Sequence, residues 1–366
     1  MTLELYITRR FLRAILVVIL VIGGLSFLLT SVENIRITAA NDAPVNAALV
    51  LTLFQLPEIM GETFPLILML GALAAFLGLS RTSEMVIVRA SGISGLRVLL
   101  MPVIAALVMG GIATTIYNPI VAASSATADA MKARITQSEQ SVLSFAGGSL
   151  WLRQGLPSGQ TVIQASEASA EGSALKGVRL HQFAPDNRLT TRVEADGAQL
   201  GDEVWVLNGV RRWNLDLGEE ASLGPAEQLP QLRLPTNLTA EQIQDSFAPP
   251  NSIPIWELPD FIAQLEQAGF SATRHRVFLQ SELARPALFV AMVLIGAGFS
   301  LRHVRFGQTG VMILFAIFAG FSLYFFKDIA ETLGGNGDIP VALAAWSAPV
   351  AAILLALGLL LHLEDG

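Results

Sequence analysis

The chain has 366 residues, of which 52% are hydrophobic and 14% charged, with a net charge of −7. Such a composition is too apolar for an ordinary soluble protein, and its acidic balance gives no support to nucleic-acid binding. Cysteine is absent, which excludes a disulfide framework and any thiolate metal or nucleophile site.

The first apolar run, Leu12–Leu29, follows Arg9 and Arg10 and holds Arg13 at its start. About 20 such residues cross the hydrocarbon as a helix. A cleaved signal segment has a similar layout, but five later runs favour a retained span. The second run is Phe64–Leu79, extended backwards through Leu56, Pro57 and Gly61. Glu58 and Glu62 share one face just ahead of it, and like charges so close are expected to face water or a cavity.

Between the second and third runs lies "SRTSEMVIVRASGISGLR", Ser80–Arg97. Residues from about 82 to 92 are expected to form a short amphipathic helix. Met85, Val86 and Val88 supply its apolar contacts, Glu84 and Arg89 flank them, Ser83 suits the N-cap, and Gly92 marks the exit. Such a helix either docks into a groove on a soluble partner, with Glu84 meeting a basic side chain there, or lies against lipid headgroups. The third run is Val98–Ile116.

From about Val121 to Phe270 the sequence has no long apolar run. Pro119 to Arg274 holds 18 acidic and 11 basic residues, a balance of −7 that equals the charge of the whole chain. "SLWLRQ", "TVIQASEAS", "ALKGVRLHQF" and "LTTRVEADGAQL" predict strands. "EVWVLNGVRRWNL", Glu203–Leu215, predicts a hairpin turning at Asn208-Gly209, with Trp205 and Leu207 on one face. A mainly β domain of sandwich or jellyroll-like form follows. After a proline-rich stretch, Asp260 to Ala268 predicts a short helix. The last three runs are Pro286–Leu301, Val311–Phe326 and Val341–Leu361.

The expected fold class is therefore an α-helical membrane protein with six transmembrane helices, three plus three, around an inserted β domain. Its expected divisions are 1–120, 121–270 and 271–366. Basic residues in short loops mark the cytoplasmic side. They fall before the first span, in the second-to-third loop (Arg81, Arg89, Arg97) and in "RHVRFG" after the fourth (Arg302, Arg305). Both termini are thus expected in the cytoplasm and the β domain across the membrane.

Catalytic motifs are missing. There is no GxxxxGK[ST], GxSxG or HExxH pattern, and His181, His275, His303 and His362 lack ligand spacing. A secondary transporter would place carboxylates deeper in its spans. The candidate polar contacts are Arg36 and Arg134, which follow the first and third spans, and Glu282 and Arg285, three apart on one helical face. Each arginine suits an anionic group as well as it suits solvent, and Glu282–Arg285 reads as an internal pair or a headgroup contact.

"YITRRF" (Tyr6–Phe11), "SEMVIVRASGIS" (Ser83–Ser94), "YNPI" (Tyr117–Ile120), "ELARP" (Glu282–Pro286) and "AAWSAP" (Ala344–Pro349) occur in an order that resembles the LptF/LptG permeases, more the LptG branch than LptF. The resemblance implies one permease of a lipopolysaccharide export ABC transporter, multi-pass in the bacterial inner membrane with a periplasmic jellyroll. It implies an LptF-like second permease, a dimer of an LptB-like ATPase, and LptC- and LptA-like bridge proteins. Lipopolysaccharide would be the cargo. Glu84, Met85 and Arg89 would then couple to the ATPase. The chain itself would be no enzyme and hold no cofactor, ATP and Mg belonging to the ATPase. In related chains basic residues at the outer end of the first span assist the anionic glycolipid. Here "SVENIRITAA" offers Arg36 alone, beside Glu33. The alternative is a membrane subunit that transmits ATP-driven motion to a periplasmic partner without moving lipid.

Overall fold

The computed structural model describes residues 2–82, 84–90, 94–136, 144–146, 149–156, 159–169, 173–186, 188–201, 204–215, 226–236, 249–267, 271–300 and 309–365. Among these residues six helices are long and apolar enough to cross a membrane. They are α1 (Thr2–Ala40), α2 (Val45–Arg81), α4 (Gly95–Thr136), α6 (Thr273–Ser300), α7 (Thr309–Asn336) and α8 (Val341–Asp365). Two shorter helices are α3 (Glu84–Ala90) and α5 (Leu258–Gln267). All six apolar runs found in the sequence fall in this set, the fourth as far as Ser300.

Several helices outrun the apolar stretches that define them. α1 has 39 residues, about twice what the hydrocarbon needs, so its polar end continues past the oily section. There Asn34 Nδ2 donates to Thr52 Oγ1 at 3.0 Å and to Gln55 Oε1 at 2.8 Å, tying α1 to α2. α4 likewise continues to Thr136, so the expected division near residue 120 falls inside a helix. The chain forms two compact units, one of Met1–Thr136, Asn251–Trp256 and Thr273–Gly366, the other of Gln137–Pro250 and Glu257–Ala272.

In the first unit α6 is the central helix. It packs against α2, α4, α7 and α8, and 72% of its apolar window is buried, against 11% for α1 and 17% for α7. Phe289 and Val293 of α6 share a core with Ile67, Leu68 and Phe76 of α2 and Phe11 of α1. Small residues permit the closest approaches. At Gly110 of α4 an added Cβ would collide with the Pro286 backbone of α6, which cannot swing aside as a side chain can. Gly110→Ala is expected to lower stability by about 1–3 kcal/mol through overpacking, read as a lower melting temperature of the purified protein.

The second unit carries an antiparallel sheet of eight strands: β1 (Ser144–Ala146), β2 (Ser149–Leu156), β3 (Gly159–Ala165), β4 (Glu167–Ala168), β5 (Ala174–Phe183), β6 (Leu189–Gly201), β7 (Val204–Asn214) and β8 (Glu227–Pro235). Their order is β1-β2-β3-β5-β6-β7-β8, with β4 pairing β5. The sheet therefore follows the chain. Leu180, Val193, Trp205 and Leu207 are buried on its apolar face.

One expected turn is absent. Asn208-Gly209 does not close a hairpin, because β7 runs straight through it. The strand pairs β6 on both sides of Gly209, through Asn208↔Gly197 and Arg211↔Glu194, and β8 through Asn208↔Gln231 and Val210↔Leu229. Gly209 takes its left-handed φ of 64° as a local irregularity within the strand, a conformation glycine adopts without steric cost. The β6–β7 pairing begins instead at Gly201↔Val204.

Candidate functional site

Two polar loci in the first unit stand out from the apolar packing. The first surrounds α3. Seven residues are too few for a stable isolated helix, so α3 depends on its contacts. Met85 and Val88 are buried in the core that also holds Ile7 and Phe11 of α1 and Leu79 of α2. Ile87 points away and is 70% exposed. Glu84 opens the helix with a carboxylate held on both oxygens. Arg10 Nη1 donates to Oε1 at 2.8 Å, and Thr82 Oγ1 lies 2.7 Å from the same oxygen. Tyr6 donates its hydroxyl hydrogen to Oε2 at 3.0 Å and accepts from Arg10 Nη1 at 3.1 Å.

The Thr82 hydroxyl, followed by the Arg10 guanidinium, holds the Glu84 carboxyl below its ordinary value. A group depressed in this way keeps its stabilising contacts above its unfolded value, about 4.3, and loses them as the pH falls through its folded value. Amide exchange in α3, corrected for intrinsic rates, is therefore expected to stay constant from pH 8 to pH 5 and to rise only in more acidic solution.

The second locus lies where α4 meets α6. Pro119 has no N–H to reach the Thr115 carbonyl, and its ring crowds that oxygen. The helix responds by widening into a π-turn over Ala113–Tyr117, with Asn118 N–H reaching back to Ala113 O. Trp256 supplies the missing donor, its indole N–H reaching Thr115 O at 3.2 Å. Pro286 leaves the Glu282 carbonyl in the same position, and Thr114 Oγ1 donates to it at 2.8 Å. Two prolines thus orphan two carbonyls, and side chains from other elements satisfy both.

Glu282 and Arg285 form an ion pair there, with side chains 3% and 20% exposed. The Asn118 amide stands beside the carboxylate, while Glu282 Oε2 has no hydrogen-bond partner among the described residues. Arg285 also lines a cavity of about 160 Å³ with Gly61, Phe64, Met109, Ile112, Ala113, Tyr117 and Phe289. Phe64 and Phe289 stack on each other in its wall at 5.4 Å, and Tyr117 donates its hydroxyl to Pro57 O at 2.8 Å. Neither locus has the nucleophile and base geometry of an active site.

The sequence matches the family described as "Lipopolysaccharide export system permease LptF/LptG" over residues 5–362. The chain belongs to the LptF/LptG family. Curated relatives agree over nearly the full length. The lipopolysaccharide export system permease protein LptG of Escherichia coli (strain K12) is 23% identical over 365 residues, 98% of each chain. LptG of Haemophilus influenzae is 22% identical over 350 residues, 94% of each.

In this LptF/LptG permease the remaining candidate residues lie apart. Arg36, near the end of α1, is 79% exposed and pairs with Glu33 at 2.8 Å. Arg134, near the end of α4, is exposed. Among the described residues, no hydrogen bond or ion pair joins either to Glu282 or Arg285. Ser83, Ser91, Gly92, Ile93, Arg302, His303 and Arg305 lie outside the described residues, as do the side chains of Val86 and Arg89. Glu58, read as facing water or a cavity, is half-buried and accepts from Asn251 Nδ2 at 2.5 Å, while Glu62 is exposed.

Sequence reasoning missed Tyr6, Arg10 and Thr82 as partners of Glu84. The spacing of Tyr6 and Arg10, one helical turn apart, was the available signal. It also missed Thr114, Asn118 and Trp256, for which a proline four residues after a helical carbonyl gives half the signal.

Proposed function

We propose that this permease is one half of an inner-membrane complex that extracts lipopolysaccharide and passes it toward the outer membrane. Its termini and α3 face the cytoplasm and its β domain the periplasm, in line with the basic residues of the inner loops. An LptF-like permease pairs with it, and LptC- and LptA-like proteins receive the lipid. Two LptB-like subunits bind ATP and Mg and do the hydrolysis.

The observation that carries this reading is α3, a short helix between two spans whose Ile87 is presented outward while Met85 and Val88 anchor it inward. An ATPase groove that takes Ile87 would pull α3 each time ATP closes the dimer. The apolar faces of α1 and α7, exposed at Leu16, Leu20, Leu25, Leu314, Phe318 and Phe325, match acyl chains and a partner helix. Of the four candidate cargo contacts, Arg134 suits a phosphate best, because Arg36 is shared with Glu33 and Arg285 with Glu282. Arg89 is kept with Glu84 and Met85 as a coupling residue.

The experiment is co-expression with the second permease and the ATPase, followed by photocrosslinking from position 134 to lipopolysaccharide. Recovery of a three-protein complex with an ATP-dependent lipid adduct supports the reading. A stable chain without ATPase, or no lipid adduct from position 134, removes it.

A further inference from the structure

We infer that Arg10 and Tyr6 are positioning residues for Glu84, fastening α3 to the first membrane helix so that a pull on α3 reaches α1 directly. The inference rests on the coupling role proposed for α3 and adds the route by which motion leaves it.

Chain connectivity joins α3 to α2 through Thr82 and leads on to α4, but gives it no link to the near end of α1. α1 meets α2 in sequence only at its far end, between Ala40 and Val45. The near end of α1 therefore follows α3 only through side chains. Tyr6 and Arg10 stand one turn apart on α1, and both reach the same carboxylate. Ile7 and Phe11, beside them, enter the core that holds Met85 and Val88. The polar contacts thus close the rim of an apolar seam, which resists sliding better than packing alone.

Two further features fit a built contact. Arg9 and Arg13 are exposed, whereas Arg10 is half-buried. At Gly78 of α2 an added Cβ would lie 3.1 Å from Arg10 Nη2, so a bare position on α2 leaves room for the guanidinium. Over its apolar window α1 is also the least buried of the six long helices.

Because both Glu84 oxygens are occupied within the chain, Arg10→Gln and Tyr6→Phe should act on transmission and not on ATPase docking. The test uses the whole complex in nanodiscs with lipopolysaccharide. It measures bound ATPase, ATP turnover and lipid released per ATP. Both variants are expected to keep the ATPase bound and turnover within about twofold, while lipid released per ATP falls at least about fivefold, the lower end of typical coupling between sites. Arg10→Lys, which keeps a cation within reach of Glu84, should recover most of the loss.

Unchanged lipid release per ATP in Tyr6→Phe and Arg10→Gln would overturn the inference with α3 docking intact. Loss of bound ATPase in these variants would overturn it as well, by assigning Arg10 to the docking face. If Ile87→Glu left ATPase binding unchanged, the docking role of α3 would fail instead, which is a separate result.

Discussion

Replacing Ile87 with glutamate is expected to release the ATPase while leaving the permease folded. Ile87 is 70% exposed on a helix that Met85 and Val88 anchor inward. Burying an isoleucine against a partner contributes about 1.5–3 kcal/mol, and a carboxylate in the same groove adds a desolvation cost of its own. At about 1.4 kcal/mol per tenfold, affinity should fall by about 100-fold or more. Titration of the ATPase against nanodisc-embedded permease reads this directly. The melting temperature of the permease should not move, because Ile87 lies outside its core. Wild-type affinity would mean that the ATPase grips another surface.

The second large effect belongs to Glu282 and Arg285. Removing one member of a buried pair leaves an uncompensated charge, at a cost of about 3–5 kcal/mol. Glu282→Gln or Arg285→Ala should therefore cut the yield of folded protein and lower its melting temperature. Replacing both at once, as Glu282→Leu with Arg285→Met, removes both charges and is often neutral for buried pairs. The double variant separates two roles. Restored stability with restored lipid release makes the pair structural. Restored stability with lost release makes Arg285, on the wall of the 160 Å³ cavity, a contact for an anionic headgroup.

Much of the architecture was legible because it follows from solvent. Six apolar runs of membrane length became six long helices, and alternation in the polar third became strands, with Trp205 and Leu207 on the buried face as their spacing required. Local turn chemistry was less decisive. Asn208-Gly209 satisfies a hairpin turn, yet pairing with β6 on one side and β8 on the other outweighs it. A glycine at positive φ marks an irregular point in a strand as readily as its end.

The loci were legible only in part, for a physical reason. Glu84 and Met85 could be picked out because their helix is local, but Arg10 meets Glu84 across 74 positions of sequence. No periodicity carries that pairing. Pro119 and Pro286 each announce an orphaned carbonyl four residues earlier, at Thr115 and Glu282. The donors that answer, Trp256 and Thr114, depend on how the helices pack. Side chains that compensate a defect are placed by tertiary structure, so the sequence marks the need and not the remedy.

Sidedness is the claim on which the rest turns, and single cysteines measure it most directly because the chain has none of its own. Cysteine placed at Ile87 and, separately, at Gln199 on β6 would be challenged with a membrane-impermeant maleimide on intact spheroplasts. Position 199 should label at once and position 87 only after the membrane is opened. Labelling of both positions on intact spheroplasts, or of neither, would contradict a cytoplasmic α3 and a periplasmic β domain.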